Sequence, residues 1–370
     1  MTRRVQYALI GAGAAVRRMH DPAIAETECE VIAVCDHREE RARKAAEHFN
    51  CSWYTDYREM LDELRPEAVV IMAQHKVHAE IAIAALRAGA HVLCEKPMAL
   101  QVADADAMNQ AAAQAGRLLA INYQQRSRPE IVAAKRIIDS GQLGKIQHID
   151  VKTTWTRAAA YYQANEWRGS WNGEGGALLM NQTPHDMDLI CWLVGMPARV
   201  HAWAPTIFHD ISPSDTVQAM MQWPGGAMGV FHASTAEGGK INRFEVIGTG
   251  GVIRIDKGAL RFARFDQDLY DFIVTAQDGF SHPGMQEVET ELGPETGKHE
   301  DIHRNFCNAI LHGEALVADG PSSLQGLELA NGMIASHCSG KTIDFPLDRQ
   351  AYAELLQRLQ DEEAQMERQA

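Results

Sequence analysis

The sequence predicts an α/β protein of two domains, because two different patterns of strand and helix follow each other along its 370 residues. Up to residue 122, short β-rich runs alternate with helical patterns, which is typical of a parallel sheet with helical crossovers. From residue 123 onward, consecutive strand-like runs joined by short glycine-rich turns favour a second α/β domain with a large, mainly antiparallel sheet. We therefore predict domains at residues 1–122 and 123–370, sizes that each support an apolar core.

The elements of the first domain follow from apolar periodicity and from the residues that break it. Strands are predicted at residues 5–10, 31–35, 68–73, 91–94 and 118–121. Helices are predicted at 14–25, 39–49, 77–88 and 102–115, and Gly89 ends the third of them.

The second domain begins with a helix and then becomes rich in strands. Helices are predicted at 129–140, 178–193, 301–311 and 322–336, and residues 354–369 form a charged, helix-prone tail. Strands are predicted at 146–155, 216–223, 228–234, 244–247 and 252–255. An irregular loop separates the first strand from the helix at 178–193.

Charge and composition exclude several classes of partner. The net charge of −14 opposes non-specific binding to nucleic acid or to an anionic membrane. No apolar run approaches the roughly 18 residues of a membrane span. The first residues lead directly into a predicted strand, without the apolar stretch of a secretory signal, and the seven scattered cysteines are interpreted as buried free thiols. We expect a cytoplasmic protein.

A glycine-rich loop between the first strand and the first helix predicts a nucleotide site. Gly11 and Gly13 allow a tight turn and a close approach to a pyrophosphate at the helix N-terminus. A plain structural turn is the alternative, because Val16 stands where a third glycine is usual. Asp36 ends the second strand, where a carboxylate can bind an adenosine ribose and repel a 2′-phosphate, or can simply cap the next helix. We expect NAD, with some tolerance of NADP left open by His37 and Arg38.

A lysine follows another strand of the predicted parallel sheet. Glu95-Lys96-Pro97 comes directly after the apolar run at 91–94. Ligands of open parallel sheets bind at the carboxyl ends of the strands, so Lys96 is a candidate for proton transfer.

A second polar motif runs from Asn181 to Asp188. If this segment is helical, the spacing places Asn181, His185 and Asp188 on one face, although Pro184 weakens that inference. Histidine suits proton transfer at neutral pH, and the amide of Asn181 can orient a hydroxyl. A structural role for an isolated histidine is the alternative, and the lysine motif favours the catalytic one.

Aromatic side chains are concentrated just before that motif. The five rings belong to Trp155, Tyr161, Tyr162, Trp167 and Trp171. Flat apolar rings with polar edges suit a sugar or a cyclitol, although a domain seam or an oligomer contact would also use them. Arg157 and Arg168 flank the cluster and could bind a carboxylate or sulfonate substituent, the cofactor phosphates, or only solvent.

These motifs, in this order, resemble the Gfo/Idh/MocA oxidoreductases, which include glucose-fructose oxidoreductase and inositol dehydrogenase. The matching residues are those at 11–16 and 21–24, Asp36, His78-Ala79-Glu80, Glu95-Lys96-Pro97, Trp167-Arg168, Gly175-Gly176, Asn181, His185 and Glu328-Leu329-Ala330-Asn331. The sequence departs from the family at Val16, at Ala177, where glycine is usual, and at Gln74-His75-Lys76, where Thr-Pro-Asn-His is common.

The resemblance implies a Rossmann domain, a second α/β domain with a large open sheet, and a homo-oligomer, a dimer or tetramer. It implies that Lys96, His185 and Asn181 are catalytic. It places the cofactor against Gly11, Gly13, Ala14, Ala15, Asp36, His37, Ala73, Gln74, His75, His78, Glu95, Lys96, Asn122, Trp167 and Arg168. It places the substrate against Lys96, Tyr123, Trp155, Arg157, Trp167, Asn181 and His185.

The predicted function is NAD-dependent oxidation of a secondary hydroxyl of a sugar, glycoside or inositol. The cofactor accepts the hydride, and Lys96 and His185 share the handling of the proton. One alternative is a glycosidase that oxidises its substrate transiently, and another is a nucleotide-sensing regulator, for which neither side chain is needed. No metal is expected, because the chain has no closely spaced His/Cys ligand set, and His75, His78 and His91 are interpreted as cofactor contacts or surface residues.

Overall fold

The computed structural model describes residues 3–369, and its N-terminal part is built on a six-stranded parallel sheet. Its strands are β1 (Val5–Ile10), β2 (Cys29–Cys35), β3 (Ser52–Tyr54), β4 (Ala68–Ile71), β5 (His91–Cys94) and β6 (Leu119–Ile121), in the order β3-β2-β1-β4-β5-β6. The helices are α1 (Ala14–Ala25), α2 (Glu39–Phe49), α3 (Tyr57–Leu64), α4 (His78–Arg87) and α5 (Val102–Ala115). The predicted parallel sheet is confirmed.

The strands of this sheet are apolar along most of their length because both sheet faces are covered. Every residue of β4 is buried, as expected for a central parallel strand packed between helices. Since all six strands point the same way, their carboxyl ends meet at one edge. That edge carries Gly11 after β1, Asp36 after β2 and Glu95-Lys96 after β5.

The second half of the chain forms a nine-stranded mixed sheet. Its strands are β7 (Ile146–Thr154), β8 (Arg199–Trp203), β9 (Thr216–Gln222), β10 (Met228–Ser234), β11 (Ile241–Gly248), β12 (Gly251–Asp256), β13 (Ala259–Phe265), β14 (Met285–Val288) and β15 (Ile343–Asp344). The order is β14-β13-β12-β11-β7-β10-β9-β8-β15, and only β7 and β10 pair in parallel. The expected large, mainly antiparallel sheet is confirmed.

Seven helices accompany this sheet within the described residues. They are α6 (Pro129–Asp139), α7 (Ala159–Gln163), α8 (Pro184–Val194), α9 (Leu269–Thr275), α10 (His299–His312), α11 (Gly320–Ser339) and α12 (Arg349–Gln369). Helix α11 contacts β8, α8 and α5, and α10 contacts α1, so the last third of the chain packs on both sheets. One apolar core runs through residues of both halves.

The opposite face of the nine-stranded sheet is open. Trp203, Met220 and Met228 lie at alternate positions of neighbouring strands and are more than half exposed. No helix within residues 3–369 combines the length and apolar character needed to cross a bilayer.

Several sequence-based boundaries were wrong. The helix predicted at 178–193 is two elements, a π-helical turn at Leu178–Gln182 and then α8, because Pro184 at the start of α8 cannot continue a preceding helix. The tail helix begins at Arg349 rather than at 354. Eight elements were not predicted, most of them short runs that carry little periodicity: β3, α3, α7, β8, β13, α9, β14 and β15. Of the seven free cysteines, Cys338 is exposed and Cys51 is half-buried, unlike the expected buried set.

Candidate active site

Lys96 lies at the carboxyl end of β5 and points to the second half of the chain. Its Nζ donates to the backbone oxygen of Asn181 at 2.9 Å and to Oδ1 of the same residue at 3.3 Å. Burial lowers the pKa of Lys96, although Glu95 and Glu174 partly oppose that effect. A neutral amine has two N–H bonds, and Asn181 accepts both. The lone pair of the amine is then free for a third partner.

Asn181 is held in the π-helical turn and its amide is oriented by an acid. Its Nδ2 donates to Oε1 of Glu174 and, at 3.4 Å, to the hydroxyl oxygen of Tyr161. With Nδ2 facing a carboxylate, Oδ1 has to face the Lys96 amine.

Glu174 contacts Asn181 but was not among the predicted site residues. Its side chain is buried, and its Oε2 also accepts from the Gly169 backbone at 2.8 Å. Burial raises the pKa of Glu174, while the bonds from Gly169 and Asn181 oppose that rise. An acidic residue set inside a glycine-rich run was the available signal.

His185 enters the site from the first turn of α8. Burial lowers the pKa of His185 to about 3, and the charge of Lys96 acts in the same direction. The imidazole is therefore neutral near pH 7. Its Nδ1 has no hydrogen-bond partner within residues 3–369, so this buried nitrogen is available to a ligand.

Tyr123 is buried and packs edge-on against the His185 ring, with centroids 5.7 Å apart, so it supports that ring; its contact with a substrate stays a prediction. The single helical face expected for Asn181, His185 and Asp188 was wrong, because Asn181 lies in the π-helical turn and the other two lie in α8. Asp188 is buried against Arg126, which donates to both of its carboxylate oxygens at 2.5 and 2.9 Å.

Glu95 holds a buried group of imidazoles behind the lysine. His20 lies 2.8 Å from Oε1 of Glu95, and His299 lies 3.6 Å from the same oxygen. Asn122 also donates to Oε1. Burial alone would raise the pKa of Glu95, but the bonds from His20 and His299 hold it well below its usual range.

Three of these groups have the spacing of metal ligands. The ligand atoms of His20, Glu95 and His299 lie within 4.8 Å of one another. They come from α1, the end of β5 and α10, so no short sequence spacing revealed them. The absence of a metal stays a prediction.

The β1–α1 loop fits a dinucleotide. Gly11 has φ of 98°, and a Cβ there would lie 2.6 Å from the Met72 backbone, which explains the glycine. A Cβ on Gly13 would meet nothing closer than 4.0 Å, so space remains in front of the α1 N-terminus. No side chain caps that terminus, which leaves its N–H groups for a phosphate.

Asp36 lies beside this loop, and its carboxylate can accept further hydrogen bonds from a ribose. Its Oδ2 accepts from the Ala12 backbone at 2.8 Å, and its Oδ1 accepts from Arg38 at 2.9 Å. Each oxygen keeps a second lone pair. His37 is exposed, and its Nδ1 lies 3.4 Å from Oδ1 of Asp36. Ala14 and Ala15 form the first turn of α1.

Two histidines predicted as cofactor contacts, His75 and His78, have different surroundings. His75 is buried and packs edge-on against Trp167, with ring centroids 5.4 Å apart. Its Nδ1 has no partner within the described chain, and Gln74 precedes it in the same loop. The contact of His78 with the cofactor stays a prediction. His78 is fully buried, and its ring nitrogens lie 3.0 Å from the Ala73 oxygen and 2.9 Å from the Pro97 oxygen, so it joins two loops.

The five aromatic side chains between residues 155 and 171 have different surroundings. Tyr162 is buried and bonds Thr235, and the backbone of Trp171 bonds Glu363, so both have structural roles. Trp155, Tyr161 and Trp167 are only half-buried. The guanidinium of Arg168 lies 4.1 Å from the Tyr161 ring centroid, and that of Arg157 lies 4.9 Å from it.

Family models match both halves of this chain. Residues 5–123 match the oxidoreductase family with an NAD-binding Rossmann fold, and residues 131–254 match the GFO/IDH/MocA C-terminal domain. The chain belongs to the GFO/IDH/MocA oxidoreductase family. It is an NAD-dependent enzyme of the sugar and cyclitol oxidoreductase type, which confirms the predicted family and cofactor.

Individual relatives cover nearly the whole chain. Levoglucosan dehydrogenase of Pseudarthrobacter phenanthrenivorans is 28% identical over 83% of this chain and 87% of that protein. Inositol 2-dehydrogenase of Rhizobium meliloti is 24% identical over 92% and 99%. The structure of the WlbA dehydrogenase of Bordetella pertussis with NADH and UDP-GlcNAcA is similar at a TM-score of 0.79 and 28% identity, over 94% of this chain and 100% of that one.

Proposed function

We propose that this member of the family is a dehydrogenase that oxidises a secondary hydroxyl of a sugar, glycoside or inositol. The observation that carries the proposal is the Lys96 amine, whose two acceptors on Asn181 leave its third bonding position without a partner among residues 3–369. Relatives that act on levoglucosan and inositol agree with this substrate class.

Lys96 is the proton acceptor in this proposal. Its lowered pKa favours the neutral amine, which can take the proton of a substrate hydroxyl. Bound NAD supplies a hydride acceptor. The ammonium that forms on Lys96 keeps its bonds to Asn181 and gains the attraction of the Glu174 carboxylate nearby.

His185 holds the reacting oxygen in this proposal. An imidazole with a pKa of about 3 is a weak base near neutral pH, but its neutral ring still donates one N–H bond. Such a donor orients the substrate oxygen and stabilises the carbonyl that forms, while Lys96 removes the proton.

A substrate panel tests the proposal. Free sugars, methyl glycosides and inositols are incubated with enzyme and NAD, and the absorbance of NADH is followed. We expect stoichiometric NADH and ketone from at least one class. Aryl glycosides with substoichiometric NAD distinguish a redox glycosidase, because sustained aglycone release with little NADH would replace the dehydrogenase assignment.

We also propose that the enzyme is a homo-oligomer joined through the open sheet face. Trp203, Met220 and Met228 present apolar side chains to solvent there, and faces of this kind are commonly covered by another chain. Light scattering of the purified enzyme should give a dimer or a tetramer. Met220→Lys together with Met228→Lys should shift the mass toward the monomer, whereas Tyr270→Lys, on the exposed helix α9, should leave it unchanged.

A further inference from the structure

Tyr161 lies between two guanidinium groups beside the catalytic amide. The Arg157 and Arg168 carbons are 4.9 and 4.1 Å from its ring centroid. Its hydroxyl oxygen accepts from Gln182 at 2.6 Å and lies 3.4 Å from the Asn181 amide nitrogen. Tyr161 therefore contacts both cations and also the amide that holds Lys96.

Neither guanidinium has a carboxylate partner in the part of the chain that the structure describes. Arg157 donates its Nε to the neutral amide of Gln182 at 3.0 Å, and its terminal nitrogens have no acceptor among residues 3–369. Arg168 donates to the Tyr161 backbone oxygen at 3.2 Å, while its buried Nε has no partner there. Buried Arg126, by contrast, has a bidentate carboxylate.

A guanidinium without a carboxylate partner is unexpected in a chain that has 49 acidic and only 35 basic residues. The Glu174 carboxylate lies close enough for its charge to act on Arg168, and it is already bonded to Gly169 and Asn181. Arg157 has no ion-pair partner among residues 3–369. Proton uptake by Lys96 would add a positive charge near Arg168, whose charge already acts on Lys96.

We infer that the substrate is an acidic sugar whose carboxylate binds Arg157. The planar guanidinium offers a carboxylate two parallel N–H bonds, and the half-buried setting strengthens such a bond relative to water. Substrates of this kind are the uronic acids and their glycosides. This inference rests on the proposed dehydrogenase function and adds a charge requirement that the dehydrogenase reaction itself does not impose.

Matched pairs of substrates test the inference. Glucuronate is compared with glucose, and methyl glucuronide with methyl glucoside, so that only the carboxylate differs. We expect kcat/KM to favour the acid on the order of 10–100-fold, the usual effect of one charge-assisted hydrogen bond. Glucose 6-phosphate and a sugar sulfate are included to compare other anions.

Variants of Arg157 test whether this residue causes the preference for the acidic sugar. Arg157→Gln should raise the KM for the acid on the order of 10–100-fold more than it raises the KM for the neutral sugar, so that the preference for the acid is lost. Arg157→Lys should keep part of the preference, because it retains charge without the fork. Arg87→Gln, in the exposed last turn of α4, removes an arginine of the first domain and should change neither value.

Calorimetry with the NADH-loaded enzyme gives a readout independent of turnover. We expect glucuronate to bind and glucose to bind weakly, with the difference lost in Arg157→Gln. A higher kcat/KM for the neutral member of each pair overturns the inference while the dehydrogenase proposal stands. Turnover of no pair would count against the proposed function, and calorimetry would then decide the inference: absence of uronate binding, or binding unaffected by Arg157→Gln, overturns it.

Discussion

The carboxylate of Glu174 orients the amide of Asn181. Glu174 accepts from Nδ2, which turns Oδ1 toward Lys96 at a distance of 3.3 Å. A side-chain amide has two orientations of similar shape, and only one of them offers the lysine an acceptor. Glu174 is therefore a positioning residue that acts on the lysine through the amide.

Glu174→Gln should reduce kcat on the order of 10-fold or more while NAD binding stays within about twofold, because only the position of Asn181 and Lys96 is disturbed. The pKa of Lys96 is raised by the Glu174 charge, so its loss should lower that pKa further. The acidic limb of the kcat profile should then move to lower pH. Glu289→Gln, at an exposed position, is the matched control. An unmoved acidic limb would limit Glu174 to a packing role.

Lys96→Ala and His185→Ala should keep the fold and NAD binding but lose turnover. Removal of a positioned acid or base costs on the order of 10²–10⁴-fold in rate. Circular dichroism and fluorescence titration with NAD check the first part, and steady-state kinetics check the second. A variant with nearly wild-type turnover would remove its residue from the mechanism.

The pH dependence separates the roles of the two residues. Since the neutral amine of Lys96 is the active form, kcat should rise about tenfold per pH unit below the pKa of Lys96 and level off above it. The pKa of His185, about 3, lies below the assay range, so His185 should add no second step near neutral pH. In His185→Gln we expect the acidic limb of the kcat profile to keep its midpoint and to reach a lower plateau. Loss of that limb would transfer the role of base to His185.

The positions of the candidate site residues that follow strands could be predicted from the sequence. Gly11, Asp36 and Lys96 each come at the end of a strongly apolar strand of the parallel sheet. One helical face shared by Asn181 and His185 was expected and was wrong, because Pro184 starts a new helix after the π-helical turn. The catalytic roles of these residues stay predictions.

Residues brought together from distant elements could not be predicted. His20 and His299 contact Glu95, and His303 contacts His20, although α1 and α10 are far apart in the sequence. Only the packing of α10 against α1 makes this group, and single-sequence periodicity contains no signal for that contact. The two backbone oxygens that face the ring nitrogens of His78 could not be predicted either, because they belong to separate loops.

NAD should bind more tightly than NADP. Both oxygens of Asp36 are fixed by backbone N–H groups, so the carboxylate cannot turn away from an added 2′-phosphate. Asp36→Asn removes the charge and keeps only one of the two backbone bonds, because its Nδ2 cannot accept; it should narrow the ratio of the two dissociation constants on the order of tenfold. Fluorescence titration with each cofactor measures the ratio. Tighter binding of NADP by the wild-type enzyme would contradict this role for Asp36.

Replacement of Gly11 or Gly13 by alanine in the β1–α1 loop should affect different properties of the enzyme. A Cβ on Gly11 would lie 2.6 Å from the Met72 backbone at φ of 98°, so Gly11→Ala should cost about 1–3 kcal/mol of unfolding free energy. The nearest atom to a Cβ on Gly13 is Val16 Cγ1 at 4.0 Å, so Gly13→Ala should keep that stability.

The added methyl group of Gly13→Ala instead fills space through which a pyrophosphate would approach the α1 N-terminus. NAD affinity should fall on the order of tenfold or more, while denaturant unfolding without cofactor stays unchanged. Gly225→Ala, whose Cβ would meet nothing within 4 Å, is the control for both measurements. If Gly13→Ala binds NAD like the wild type, the pyrophosphate does not approach the loop at this glycine, and the first turn of α1 is the remaining anchor to test.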